Sequence, residues 1–103
     1  MDYVVIMKYE IEKTETFDKW LKTLKDRKAV LAITQRLNRA ALGNFGDIKA
    51  LGDGVYEMRF FLGPGYRLYY TIRNDVIILL LLGGDKSSQE KDIYMAKKIA
   101  DSL

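Results

Sequence analysis

The stretch that decides the fold is EMRFFLGPGYRLYY, residues 57–70. Apolar and polar residues alternate on both sides of Gly63-Pro64-Gly65, the pattern of two strands joined by a tight turn. A three-residue loop sets Leu62 against Tyr66, Phe60 against Leu68, Met58 against Tyr70 and Tyr56 against Ile72. These apolar and aromatic pairs share one side, as a core face requires; a two-residue loop mixes the sets and is rejected. The other side receives Phe61 with Arg67, Arg59 with Tyr69, Glu57 with Thr71 and Val55 with Arg73. Arg59 and Arg67 are then diagonal neighbours, with β-carbons roughly 7–8 Å apart or somewhat less. Two cations that close need a counter-charge, either Glu57 or a bound anion.

Outward from this hairpin the rest of the chain falls into place. Residues 3–10, YVVIMKYE, are rich in β-branched and aromatic side chains and read as a strand. Thr14 or Thr16 caps a helix whose apolar stripe is Phe17, Trp20, Leu21 and Leu24. After a short break at Asp26-Arg27-Lys28, a second helix turns Val30, Ile33, Leu37 and Ala41 inward and Arg36 and Arg39 outward, and Gly43 stops it. The two helices form an αα-hairpin. Residues 43–54 are loop with one short strand around 48–51. Strands follow at 55–62, 66–73 and 76–82, the last two joined by Arg73-Asn74-Asp75. The last strand is apolar throughout, so both its faces are covered and it is central. Ser87 and Glu90 have capping-box spacing and open a C-terminal helix that buries Ile93, Ala96, Ala100 and Leu103. The expectation is a single α+β domain over residues 1–103, in the order β-α-α-β-β-β-α. Its helices lie against one face of a curved, mostly antiparallel sheet.

Composition narrows the chemistry. The 103 residues include no cysteine and no histidine. That removes disulfides, thiolate metal sites, thiol nucleophiles and the commonest neutral-pH base and metal ligand. Neither a metal nor another cofactor is expected. The absence of cysteine fits a reducing cytosol, and no signal peptide or bilayer-length apolar run is evident. The net charge of +3 leans toward an anionic partner.

The polar hairpin face supplies the candidates. Arg59 and Arg67 are bidentate phosphate binders, and Tyr69 can stack on a base or donate a phenolic proton. Lys86 follows the central strand and can reach the same area. Arg73, Lys49 and Gln89 complete an RNA-binding rim. The plain alternative is a solvated face on which Glu57 pairs with Arg59. Asp85, Gln89 and Asp92 suit a helix N-terminus on dipole grounds alone. The glycines of GPG and GG need be no more than turn residues.

The blocks GDIKALGDGVYEMRFFLGPGYRLYY and IILLLLGGDKSSQEKDI resemble the RelE/ParE/HigB toxin superfamily. Within it they are most similar to the phage-derived, HigB-like addiction-module killer branch. FDKWL at 17–21, Arg36-Leu37 and GNFGD at 43–47 extend the likeness over most of the chain. The resemblance implies a RelE-like domain and a toxin of a type II toxin–antitoxin pair. It implies mRNA cleavage on the ribosome as in RelE-like members, or gyrase inhibition as in ParE-like ones. An inert member that only pairs with its antitoxin is a third reading. The implied partners are a helix-turn-helix antitoxin, the ribosome with its mRNA, and operator DNA through the antitoxin complex; no membrane is implied. Arg67 matches the arginine of the RelE Gly-Tyr-Arg pattern, Arg59 a strand lysine, and Lys86 a phosphate-binding arginine. Glu57 stands where RelE has another lysine. The C-terminal tyrosine of RelE has no counterpart: Asp92 or Ile93 takes its place, with Tyr94 close by.

On this reading Arg59 and Arg67 neutralise charge as the RNA 2′-OH attacks the adjacent phosphate, and Lys86 stabilises that charge or protonates the leaving 5′-oxygen. Glu57 or Tyr69 is the base. The proposal requires the guanidinium groups to lie together on one side of the sheet, and not each to be held in a salt bridge of its own.

Overall fold

A computed structural model describes residues 8–103. The expected first strand falls largely on residues 3–7, outside the described residues. The first described strand, β1, is Glu10–Lys13. It is followed by helices α1 (Glu15–Thr23) and α2 (Arg27–Ala41), and by strands β2 (Ile48–Gly52), β3 (Val55–Arg59), β4 (Arg67–Arg73) and β5 (Ile77–Gly84). A short 3-10 turn, Lys86–Ser88, then leads into α3 (Gln89–Asp101). The sheet order is β1-β5-β4-β3-β2. Strands β2 to β5 form an antiparallel meander, and β1 adds to β5 in parallel.

Local chemistry sets the helix boundaries. Thr14 Oγ accepts from Phe17 N at 3.0 Å and caps α1, while donating to Leu81 O at 2.8 Å. One side chain thereby ends β1, starts α1 and pins both to β5. Asp26 accepts from Lys28 N and Ala29 N and caps α2, so Arg27 and Lys28 belong to the helix rather than to a break. Gly43, at φ +94°, follows the end of α2. The last cap lies two residues earlier than Ser87 and Glu90 imply: Asp85 accepts from Ser87 N, and Ser88 Oγ accepts from Asp85 N. Ser87, expected as the cap, is thus part of the 3-10 turn.

The sheet is covered on both faces, not one. Phe17, Ile33 and Ala40 of α1 and α2 pack on Met58, Leu68, Tyr70, Ile78 and Leu80. On the other face Ala96 of α3, with Ile93, Ile99 and Ala100 beside it, packs on Val55, Tyr69, Leu79 and Leu81. Leu103, expected inside, is exposed. The apolar run of β5 is the reason for two layers: alternate side chains point to opposite faces, and each face needs a lid.

The hairpin keeps the expected faces but shifts its pairing by two residues. Tyr56 pairs with Tyr70, Met58 with Leu68, Glu57 with Tyr69 and Arg59 with Arg67. Phe60 N still donates to Tyr66 O at 3.0 Å, and inside that contact Gly65 N donates to Leu62 O at 3.1 Å, leaving Phe61 84% exposed in the loop. An even shift preserves which residues face which layer. It also sets Arg59 directly opposite Arg67 instead of diagonal to it.

Gly83 and Gly84 are the last residues of β5, not a turn. A β-carbon on Gly83 would overlap the Trp20 ring, and one on Gly84 would overlap the Asp92 carboxylate. The pair lets α1 and α3 close on the strand from opposite sides. Gly83→Ala should therefore destabilise the domain by about 1–3 kcal/mol, the usual range for overpacking. Chemical denaturation would show this as a lower midpoint with unchanged slope; an unchanged midpoint would mean that Trp20 yields freely.

Candidate functional site

Strands β3 and β4 bring Arg59 and Arg67 face to face at one end of the sheet. The Lys86 β-carbon lies near Gly65, at the tip of the hairpin, and Lys86 N approaches Pro64 O at 3.4 Å. Arg67 Nη1 donates to Gly65 O at 2.8 Å, so Arg67 and Lys86 flank the same glycine. These three expected residues are together.

The guanidinium groups are not free. Arg59 Nη2 donates to Asp47 Oδ1 at 2.8 Å. Arg67 Nε lies 3.8 Å from Glu57 Oε2, an ion pair without a hydrogen bond, and the two side chains are 12% and 0% exposed. The condition that neither arginine be held in its own salt bridge is not met. The free cationic cluster on which RNA cleavage was to rest is therefore absent, and only the family likeness is left to support that reading.

Two further expectations change with it. Tyr69 is fully buried under α3 and cannot stack on a base. Burial first, then the Glu57 and Asp92 carboxylates, push its phenol above the ordinary range, with Arg67 pulling the other way. Glu57 is fully buried too, and Gln89 Nε2 donates to its Oε2 at 2.9 Å across 32 residues of sequence. Gln89 thus holds Glu57 rather than facing solvent as a nucleic-acid contact. Glu57 Oε1, Tyr69 OH and Arg67 Nε have no hydrogen-bond partner. This buried network ties α3 to the sheet, and neither Glu57 nor Tyr69 is placed as a base acting on an external substrate.

The remaining candidates divide. Lys49 pairs with Glu57 across β2 and β3 and is exposed on the rim. Arg73 lies at the far end of β4, beside the turn to β5, about 20 Å along the strand from Arg67 at ~3.3 Å per residue, and does not join the cluster. Asp85 caps the 3-10 turn, and Ser87 beside it holds its carboxyl below the ordinary range. Asp92 accepts from Ser88 Oγ. Among the described residues no group of His, Cys, Asp and Glu is arranged to hold a metal ion. No described helix is long and apolar enough to cross a membrane.

Two residues that shape the site were not among the site candidates read from the sequence. Asp47 is one. Arg36, expected to point outward, is the other: it donates to Phe45 O at 3.1 Å, Arg59 O at 2.9 Å and Asp47 O at 2.8 Å, and lies 4.8 Å from the Phe60 ring centroid. It fastens α2 to the segments that carry Asp47 and Arg59. Its spacing from Ile33 and Ala40 puts it on the inward stripe, which is the signal that could have revealed it.

Comparison with known proteins fits this architecture. No family model matches the chain. An uncharacterized protein of Haemophilus influenzae is 48% identical over 97 residues, spanning 94% of this chain and 98% of that protein. The chain belongs to the same family as that protein. A mutant of the E. coli toxin RelE, solved in the free state, superposes with a TM-score of 0.73 at 20% identity, covering 89% of this chain and 97% of that one. The fold is RelE-like, as the sequence blocks implied.

The Arg59 hydrogen bond, opposed by partial burial, holds the Asp47 carboxyl below the ordinary value of 3.8. A depressed carboxylate contributes stability above its unfolded value, and that contribution is lost as pH falls through the lowered folded value. In carboxyl-carbon NMR, Asp47 should titrate below 3.8, and Arg59→Ala should raise its midpoint. An equal midpoint in both proteins would mean that the pair is absent in solution.

Proposed function

We propose that this chain is the toxin of a type II toxin–antitoxin pair, in the HigB-like branch of the RelE/ParE/HigB superfamily, with a helix-turn-helix antitoxin as its cognate partner. The RelE-like fold over most of the chain carries the proposal. The antitoxin complex, rather than the toxin alone, would bind operator DNA, and the toxin would act in the bacterial cytoplasm.

The first reading of its action is cleavage of mRNA on the ribosome, in a narrower form than the sequence suggested. Arg67, held by Glu57 and Gly65 O, serves as the support of the site. Arg59 and Lys86 keep solvent-facing side chains and would meet the phosphate. In this scheme the RNA 2′-oxygen attacks the adjacent phosphorus and its proton leaves to solvent. The bond to the 5′-oxygen breaks, and Lys86 delivers a proton to that oxygen. Arg59 offsets the charge of the phosphorane. No base is assigned, so the ribosome's alignment of the substrate would supply much of the rate.

The second reading is a ParE-like toxin that binds gyrase or another protein. It is favoured by the neutralised arginines and by Phe61, which projects from the hairpin loop with Arg59 6.0 Å from its ring centroid. Expression without the antitoxin, followed by primer extension on cellular mRNA, separates the two. Codon-phased ends that vanish in Lys86→Ala, with its stability within about 0.5 kcal/mol of the parent, are the expected outcome. Intact mRNA with DNA damage would establish the second reading instead.

A further inference from the structure

We infer that Asp47 is an internal competitor for the substrate phosphate at Arg59, setting the affinity of the site rather than its rate. The inference rests on the mRNA-cleaving reading above. Among the described residues, the hydrogen bonds of the Arg59 side chain reduce to one, from Nη2 to Asp47 Oδ1 at 2.8 Å. The second bond of a two-pronged arginine–carboxylate pair is unmade: Asp47 Oδ2 and Arg59 Nε are both buried and both lack partners. A phosphodiester presents two non-bridging oxygens and can take up two N–H groups of one guanidinium together, a stronger arrangement than a single contact. The pair is also reachable. Its side chains are 37% and 33% exposed, against 12% and 0% for Arg67 and Glu57.

The backbone of Asp47 is fixed independently of its charge. Arg36 Nη2 donates to Asp47 O at 2.8 Å, and Arg59 N donates to the same oxygen at 3.0 Å. The carboxylate is therefore presented to Arg59 from a rigid mount, and neutralising it should leave the mount in place. A phosphate arriving at Arg59 must displace a carboxylate that cannot follow its partner outward. Asp47 thus weakens substrate capture without touching the reacting atoms, which makes it a positioning residue.

The experiment is single-turnover cleavage of ribosome-bound mRNA by the full chain, titrated with toxin. Asp47→Asn should reach half-maximal cleavage at about five-fold lower toxin concentration, the scale of a partly exposed ion pair, with the same maximal rate. Asp47→Glu, which keeps the charge, should behave like the parent, and Arg59→Ala added to Asp47→Asn should abolish the gain. Thermal melts would confirm that each variant is folded; should Asp47→Asn melt early, Asp47→Ser replaces it. If the parent cleaves and the neutral variant saturates at the same or higher concentration, the inference is overturned and the cleavage reading stands. If no folded variant, parent included, cleaves ribosome-bound mRNA, both fall.

Discussion

Two guanidinium groups placed directly opposite each other on paired strands repel, and the fold must supply negative charge to keep them there. Arg59 and Arg67 are such a pair. The chain answers with one acid for each arginine. Asp47 arrives from the loop before β2, and Glu57 from within β3, two residues before Arg59. Much of the surrounding structure serves these two contacts. Arg36 crosses from α2 to fix the backbone carrying Asp47, and Gln89 reaches down from α3 to fix Glu57. Both helical layers thereby engage the same charged centre.

The two halves of this centre differ in kind. The Arg67–Glu57 half is nearly dry, so each charge depends on the other, and loss of one partner would strand the second in a medium that solvates it poorly. This half belongs to the stability of the domain as much as to any reaction. The Arg59–Asp47 half is open to solvent, weakly held and exchangeable. A site with a rigid buried ion pair beneath an exposed, replaceable one can hold its shape while one cation trades its partner for a ligand.

The sequence disclosed the faces of the hairpin but not its exact pairing. Alternation fixes the parity of a strand, and a two-residue slip leaves parity untouched, so the Arg59–Arg67 apposition depended on where the ladder gives way to the loop. The cover over the second face was in fact signalled. A β5 apolar at every position needs a layer on each side, yet the arginines and Glu57 on the neighbouring strands suggested an open surface. Burial of Tyr69 and Glu57 followed from α3, whose packing partner could not be read from its own periodicity. The helical spacing of Arg36 shows that it lies inward but not which three carbonyls it meets, and the single hydrogen bond from Gln89 to Glu57 leaves no pattern in composition or spacing. The helix caps at Thr14 and Asp26, by contrast, are local, and the Thr14 cap was legible as such.

The most direct test of this account is a double-mutant cycle on Arg67 and Glu57, with Arg67→Ala and Glu57→Gln measured singly and together by chemical denaturation at neutral pH. The account predicts that Arg67→Ala alone costs about 3 kcal/mol, because it strands a buried carboxylate, and that adding Glu57→Gln recovers most of the loss. A coupling energy near zero, with Arg67→Ala as stable as the parent, would contradict the view that the arginine pair is neutralised from within.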